Sequence, residues 1–388
     1  MSIKLDPAIV PVGCFDGDID LFESQYVVPN GVSYNSYVIL DEKVAVMDTV
    51  DPRRTDEWLA NLDKALAGRT PDYLVVQHME PDHAGSISAL ASKFPGMTLV
   101  GNAKTFPMLA AFTGESYEGR ALTVKEGDAL ELGAHTLTFV MAPMVHWPEV
   151  MVTYESASKT LFSADGFGRF GDADPDTPWV DEARRYYINI VGKYGAQVQA
   201  LLKKAAGLEI ETVCPLHGPI LSGEALALAL EKYGVWSSYA PEEKGVLVAY
   251  ASIHGHTARA ALELADMLKA EGLQVETVDL TRRDWAEAVA GAFRYSGLAL
   301  AAASYDAGVF PPMAQFLARL KSKGFKDRAV GLMENGSWGP TAMRTMLAEL
   351  EGMKGLTILE PKITIKSAAN DGDRAKMKEL AHAMAVAL

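Results

Sequence analysis

Cysteine is scarce in this chain, with two in 388 residues, Cys14 and Cys214, far apart and each in an apolar setting. No Cys-x-x-Cys pair occurs, which excludes a rubredoxin module and a thiolate-held iron–sulfur cluster. Electrons handled by the chain must then come from a separate protein or a reduced cofactor. The two thiols read as small buried groups in a reducing cytoplasm. No run approaches 18 apolar residues, and the amino terminus has no basic region followed by an apolar stretch, so neither membrane insertion nor export is expected. Positive charge is in deficit: 36 Lys and Arg stand against 50 Asp and Glu, a formal net charge of −14. That balance argues against nucleic acid or an anionic membrane as the main partner. No Gly-x-Gly-x-x-Gly follows a strand, which removes a Rossmann dinucleotide site. Internal repeats and low-complexity tracts are likewise missing.

With 49% hydrophobic residues the chain can bury two sizeable cores, and its length suggests two or three domains. The pattern changes near residue 241. Upstream, short strands alternate with turns, at Tyr34–Ile39, Val44–Asp48, Leu99–Gly101, Leu137–Met141, Met151–Tyr154 and Thr160–Phe162, before a helix near Leu226–Tyr233. Ala240-Pro241-Glu242-Glu243-Lys244-Gly245 is a polar link with a breaker. Downstream, strands at Val246–Tyr250, Gln274–Val278, Gly297–Ala303, Arg328–Met333 and near Leu356–Leu359 alternate with helices at Thr257–Ala270, Trp285–Ala292, Met313–Lys323, Thr341–Glu351 and Arg374–Leu388. Strands interleaved with helices in this way predict a doubly wound parallel sheet. The expected domains are residues 1–241 and 242–388 of an α/β protein.

The run His78-Met79-Glu80-Pro81-Asp82-His83 packs four potential metal ligands into six residues, just past the apolar stretch Asp72–Gln77, which reads as a buried strand. A single histidine of this kind is most often a satisfied polar residue. Here three more donors follow, each just past a short apolar run: His146, Asp165 and His217. Ligands at the carboxyl ends of strands converge on one side of a sheet, where α/β proteins place their chemistry. Seven donors are too many for one ion, whereas two ions roughly 3.5–4 Å apart sharing a carboxylate would use them all.

This constellation resembles the metallo-β-lactamase superfamily, an αββα sandwich whose loop reads His-x-His-x-Asp-His. Glu80 stands where the zinc hydrolases carry the second His, and the added carboxylate makes the set richer in hard oxygen donors, which suits iron. His-x-Glu-x-Asp-His followed by His, Asp and His is the pattern of the flavodiiron proteins. The resemblance implies one iron held by His78, Glu80 and His146, the other by Asp82, His83 and His217, and Asp165 bridging, these seven also being the catalytic set.

In the second half, the first strand runs into Ser252-Ile253-His254-Gly255-His256-Thr257 and then a helix. Hydroxyls, a glycine and free helix amides make a phosphate cradle. The loop resembles that of flavodoxins, with His254 where those usually carry a hydroxyl. Ser304-Tyr305-Asp306-Ala307-Gly308 and Asn335-Gly336-Ser337-Trp338 resemble the second and third flavin loops of the flavodiiron proteins, with Trp338 offering a broad face to the ring. FMN is the implied cofactor, beside two iron ions.

The resemblance spans essentially the whole chain. It implies a metallo-β-lactamase-like αββα sandwich followed by a flavodoxin-like five-stranded parallel sheet. It further implies an oxidoreductase that reduces dioxygen to water, nitric oxide to nitrous oxide, or both. The external donor is expected to be rubredoxin, with a deazaflavin cofactor as the alternative, and the assembly a head-to-tail homodimer or a dimer of dimers with Trp147 and Glu80 at the interface. A di-zinc hydrolase fused to a flavodoxin domain is the rival, and a gas sensor or electron carrier without turnover a third reading. Tyr194 is a candidate hydroxyl near the metals, more simply a packed tyrosine. His135 and His382 read as surface histidines. Arg53-Arg54, Arg184-Arg185 and Arg282-Arg283 read as solvated pairs, or as docking points for an acidic electron carrier.

Overall fold

The computed structural model describes residues 5–388. Residues 1–4, the start of the expected first domain, lie outside the described residues. The chain divides into two compact units, one running to Tyr187 and including Ala196–Gly234, the other formed by Ile188–Gly195 with Val235–Leu388. The short segment Ile188–Gly195 clusters with the second unit because Asn189 donates to the Ala286 carbonyl at 3.1 Å and accepts from Lys323.

The first unit is built on two six-stranded sheets. One comprises Ile9–Pro11, Tyr37–Leu40, Val44–Met47, Tyr73–Val75, Thr98–Gly101 and Ala121–Thr123; the other comprises Ala129–Glu131, Thr136–Met141, Met151–Glu155, Thr160–Phe162, Thr212–Cys214 and Leu221–Ser222. Alternation along a strand sends Tyr37 and Ile39 into the shared core with Val75, Val100, Phe139 and Phe162, while Val38 is buried outside that cluster. Facing side chains from both sheets therefore make one apolar layer. Helices that the sequence pattern left as turns cover the outer faces. The clearest, Thr55–Leu66, buries only Trp58, Leu62 and Leu66, a stripe four residues apart among polar positions. The expected strand Tyr34–Ile39 is broken. Val32–Tyr34 pairs with Cys14–Asp16, and Tyr37–Leu40 joins the main sheet. Between them Asn35 donates to the carbonyls of Pro215 and Gly218, and Ser36 to that of Asp48, so both side chains leave the strand pattern to hold neighbouring loops.

The second unit carries a parallel sheet whose order along the chain is 2-1-3-4-5: Gln274–Asp279, Glu243–Ala251, Tyr295–Tyr305, Ala329–Asn335 and Thr357–Ile358. This is the flavodoxin-like order. The fifth position is longer than expected and comes in two pieces, because Ile363–Ile365 also pairs with Ala329–Asn335. Pro361 lies between the pieces and has no N–H for the ladder. Five helices match the expected ones to within a few residues.

Two surface assignments need correction. His135 does sit in a turn, but it is 8% exposed, with Nδ1 2.8 Å from Asp41 and its backbone N–H donating to the same carboxylate. Arg184 and Arg185 are buried and paired with Asp181 and Glu182, so they are neither solvated nor free to dock a carrier. His382 and Arg283 are exposed as expected.

Arg328 is the polar centre of the second unit. Its buried guanidinium donates to the carbonyls of Tyr295, Phe293 and Tyr239 at 2.7, 2.8 and 2.9 Å, and burial pushes its pKa down to about 10. Replacing Arg328 by Leu strands these carbonyls. We expect a loss of roughly 3 kcal/mol, read as a lower denaturant midpoint at unchanged slope.

Candidate metal centre and phosphate-loop cleft

All seven donors of the first unit lie past the carboxyl ends of strands. His78 to His83 follow Tyr73–Val75 and run into a one-turn helix, Pro81–Ala84, which fixes Asp82 and His83 side by side. His146 lies in the connection after Thr136–Met141, Asp165 after Thr160–Phe162, and His217 after Thr212–Cys214. The structure brings their donor atoms into two groups, His78, Glu80, His146 and Asp165 in one, and Asp82, His83 and His217 in the other, each within 4.8 Å.

Asp165 joins the groups. Its Oδ2 is 3.0 Å from His146 Nε2 and 3.4 Å from His78 Nε2, while its Oδ1 is 3.2 Å from His83 Nε2. Glu80 Oε2 lies 3.2 and 3.1 Å from the Nε2 atoms of His78 and His146. In the second group Asp82 Oδ2 is 3.2 Å from both His83 and His217, whose Nε2 atoms face each other at 3.1 Å. Donors arranged around an ion with bonds of about 2.1 Å stand about 3.0–3.4 Å apart for octahedral to tetrahedral geometry. The observed separations match.

The site also carries orphans. Both carboxylate oxygens of Asp82, Oδ1 of Asp165 and Nδ1 of His83 are buried without a hydrogen bond. Such groups are costly to bury unless they are paired or coordinate a cation. Electrostatics point the same way. Burial opposes charge on the rings, yet Asp82 and Asp165 raise His83 to about 10, and Asp165 and Glu80 raise His146 to about 9. A cluster that draws protons onto imidazoles is one that favours cations. Its mixed imidazole and carboxylate donors fit two iron ions.

Residues that the sequence did not single out hold the ligands in place. Buried Glu149 accepts from His78 Nδ1 and from the Met79 N–H, each at 2.8 Å. His217 Nδ1 donates to the Ser33 carbonyl at 2.7 Å. Asp48 accepts from the N–H and side-chain amide of Gln77, and burial lifts its pKa to about 6. Thr49 donates twice to the His83 carbonyl. Tyr186, not Tyr194, packs on the site, with its ring 5.4 Å from that of His217; Tyr194 belongs to the second unit. Phe22 meets His217 edge-on at 5.5 Å, and Trp147 meets His78 at 5.3 Å, stacked in turn on the exposed ring of Phe112.

In the second unit a cleft of about 450 Å³ opens at the carboxyl ends of the sheet. It gathers Ile253, His254, His256 and Thr257 from the first loop, Ser304 to Ala307 from the second, and Asn335 to Trp338 from the third. Gly255 takes φ +86° as the residue before the helix His256–Ala270, a backbone shape that only glycine adopts freely, and its N–H donates to Ser252 Oγ at 3.1 Å. Ser252, Gly255 and Gly308 shape the loops without lining the cleft. Ser367, which sequence reasoning missed, does line it, and it accepts from Asn335 Nδ2 through its carbonyl at 2.8 Å. Trp338 is 97% exposed, so it is no core residue.

Fold and site together define a class, an αββα sandwich with a dinuclear, oxygen-rich donor set joined in one chain to a flavodoxin-like unit. Comparisons narrow it. Residues 32–218 match the model described as ODP family beta lactamase. Over 388 residues the chain is 28% identical to rubredoxin-oxygen oxidoreductase of Megalodesulfovibrio gigas, covering 97% of this chain and 96% of that protein. Over 358 residues it is 28% identical to the anaerobic nitric oxide reductase flavorubredoxin of Aliivibrio salmonicida, covering 88% of this chain and 71% of that one. The crystal structure of the flavodiiron protein from Giardia intestinalis superposes with a TM-score of 0.91 at 27% identity, over 99% of this chain and 96% of that one. Over nearly its whole length the chain is thus similar to flavodiiron proteins in both sequence and fold.

Glu149 provides a test of the bracing. Replacing it by Gln keeps the shape but removes the charge that orients and polarises His78, and we expect metal affinity to fall about 10–100-fold without unfolding, measured by competition with a chelator.

Proposed function

We propose that this chain is a flavodiiron oxidoreductase that reduces dioxygen to water, nitric oxide to nitrous oxide, or both, at a non-haem diiron centre, drawing its electrons through FMN. The observation that carries this reading is the placing of Asp165, whose two oxygens face different donor groups. His78, Glu80 and His146 would hold one iron, Asp82, His83 and His217 the other, with Asp165 between. The names of the relatives support the substrates, one being called an oxygen oxidoreductase and another a nitric oxide reductase. Two ferrous ions and a reduced flavin, when bound, supply the four electrons that dioxygen needs to become water.

The chain's own residues do the rest. Asp165, Asp82 and Glu80 balance the positive charge of the centre. Glu149 and the Ser33 carbonyl fix the ring orientations of His78 and His217, so that both rings keep presenting Nε2 to the site. Phe22, Tyr186 and Trp147 pack round the imidazoles and limit water. Thr257 and the loop amides would hold the flavin phosphate, with Trp338 against its ring. We assign the metal chemistry to residues 1–241 and the flavin to residues 242–388. Rubredoxin is the proposed donor, with a deazaflavin cofactor as the alternative, and the cytoplasm the proposed location. Among the described residues no helix is long and apolar enough to cross a membrane.

The reading is tested by metal and flavin analysis with anaerobic assays of each gas. We expect about two irons per chain. Asp165→Ala should lose iron and gas consumption together, while Thr257→Glu, which sets a negative charge against the phosphate, should lose FMN and keep iron. Stoichiometric zinc with hydrolysis of a thioester or lactam, and no gas reduction, would instead establish the hydrolase.

The proposed head-to-tail homodimer passes electrons between subunits. His83→Ala and the double variant Thr257→Glu with Trp338→Ala should each be inactive alone. After subunit exchange, confirmed by mass, activity should return toward the level of one productive pair. An intrachain route gives no recovery.

A further inference from the structure

Behind the metal loops, on the side away from the core between the sheets, the first unit contains a small cavity of about 40 Å³. Its walls are the sheet residues Val140, Val152 and Val213 and, from the helices Gly195–Ala205 and Gly223–Ser237, Val198, Leu202 and Leu226. Two features set it apart from an ordinary packing defect.

The first is where it ends. Val145, Gly166 and Phe167 line it, and they share the ligand loops: Val145 immediately precedes His146, and Gly166 and Phe167 immediately follow Asp165. Ile210, Leu226 and Leu230 belong both to this cavity and to a wide open cleft of about 1150 Å³ lined by Lys159 and Glu211 among others. The cavity thus shares lining residues both with an open cleft and with the loops that carry two of the metal-site donors.

The second is that its lining is almost wholly apolar, with two polar side chains, each already hydrogen-bonded to the backbone. The polar side chains present are Ser163 and Tyr233. Ser163 Oγ donates to the Gly166 carbonyl at 2.6 Å, and Tyr233 Oη accepts from the Phe167 N–H at 2.5 Å. A space this size has room for water, but a buried water needs two to four polar partners, and apolar cavities without them stay dry and take up apolar atoms such as xenon. An apolar diatomic molecule makes no such demand and gains dispersion contacts with every wall.

We propose that this cavity is a dry waypoint for dioxygen or nitric oxide, through which the gas reaches the metal site from the Ile210–Leu230 side. The inference rests on the reading of the chain as a gas reductase. It gives roles to Val145, Phe167, Leu202 and Ala205 that have nothing to do with binding metal or flavin. Val145 and Phe167 are buried beside the ligands at its inner end, whereas Leu202 and Ala205 are half-exposed at its outer end.

Crystals of the iron- and FMN-loaded protein pressurised with xenon should show a xenon peak between Val198, Leu202 and Val213. Ala205→Trp, which fills the outer end, should abolish the peak and raise KM for the gas about tenfold, with kcat at saturating gas and the iron and FMN contents unchanged, the pattern of lost access with intact chemistry. Leu202→Ala, which widens the same space, should strengthen the peak and leave KM equal or lower, and it serves the test if the tryptophan variant does not fold. No xenon in the wild-type protein, or xenon present but no rise in KM for a folded Ala205→Trp, overturns the waypoint. If Ala205→Trp does not fold, an increase in KM for Leu202→Ala overturns it. A wild-type protein that consumes neither gas removes the functional reading itself, and is told apart because the xenon peak is read independently of turnover.

Discussion

Burying negative charge without solvent is the constraint around which the first unit is organised. Asp165 and Asp82 sit inside the protein with oxygens that no hydrogen bond reaches, beside four imidazoles. Leaving such carboxylates unpaired would cost several kcal/mol each. The fold is therefore tolerable only if positive charge occupies the space between them, whether as protons on the rings or as metal ions. Each histidine whose far nitrogen is anchored has that anchor on rigid backbone or on a carboxylate, so the rings cannot swing away to relieve the strain on their own.

One stretch of chain serves as a keel for all of this. Ser33 holds His217, Asn35 holds the carbonyls on either side of it, Ser36 holds Asp48, Asp48 holds Gln77 and His78, and Thr49 holds His83. Ser33 lies in the strand Val32–Tyr34, and the others flank the paired ends of Tyr37–Leu40 and Val44–Met47, so the sheet's own stiffness is passed to the ligands. In the second unit a smaller version of the same device occurs, where Asn335 ties its own loop to that of Ser367 at the cleft.

Ligands were legible in the sequence because a metal demands rare side chains, and those chains stand at the ends of apolar runs where a reader looks. His78, Glu80, Asp82 and His83 are conspicuous in six residues, and the regular strand and helix periods of the second half gave its architecture to within a few residues. The braces were not legible. Glu149 is one carboxylate among fifty acidic residues, and only its burial beside His78 distinguishes it. Asp48 left a faint signal, an acid at the end of the apolar strand Val44–Met47, where charge has no reason to be unless it is used. Tyr186 and Tyr194 look alike in the chain, and only the fold decides which ring meets His217. The helices of the first half were hidden because their apolar stripes are narrow, and the split of Tyr34–Ile39 because a polar pair inside an apolar run shows no local sign of where its hydrogen bonds go. Arg184 and Arg185 misled for the converse reason, since paired arginines are usually solvated and here their partners are acids on the same helix.

The donors of the metal site are drawn from His78 to His217, and His217 is itself held by Ser33. Cations bound there would act as long-range staples, closing loops of well over a hundred residues in a single coordination sphere, loops whose closure by the bare chain carries a large entropic cost. During synthesis the nascent chain would have no complete second half-site until His217 has emerged, although Asp82 and His83 were made long before. Loading of the second group is thereby tied to completion of the sandwich.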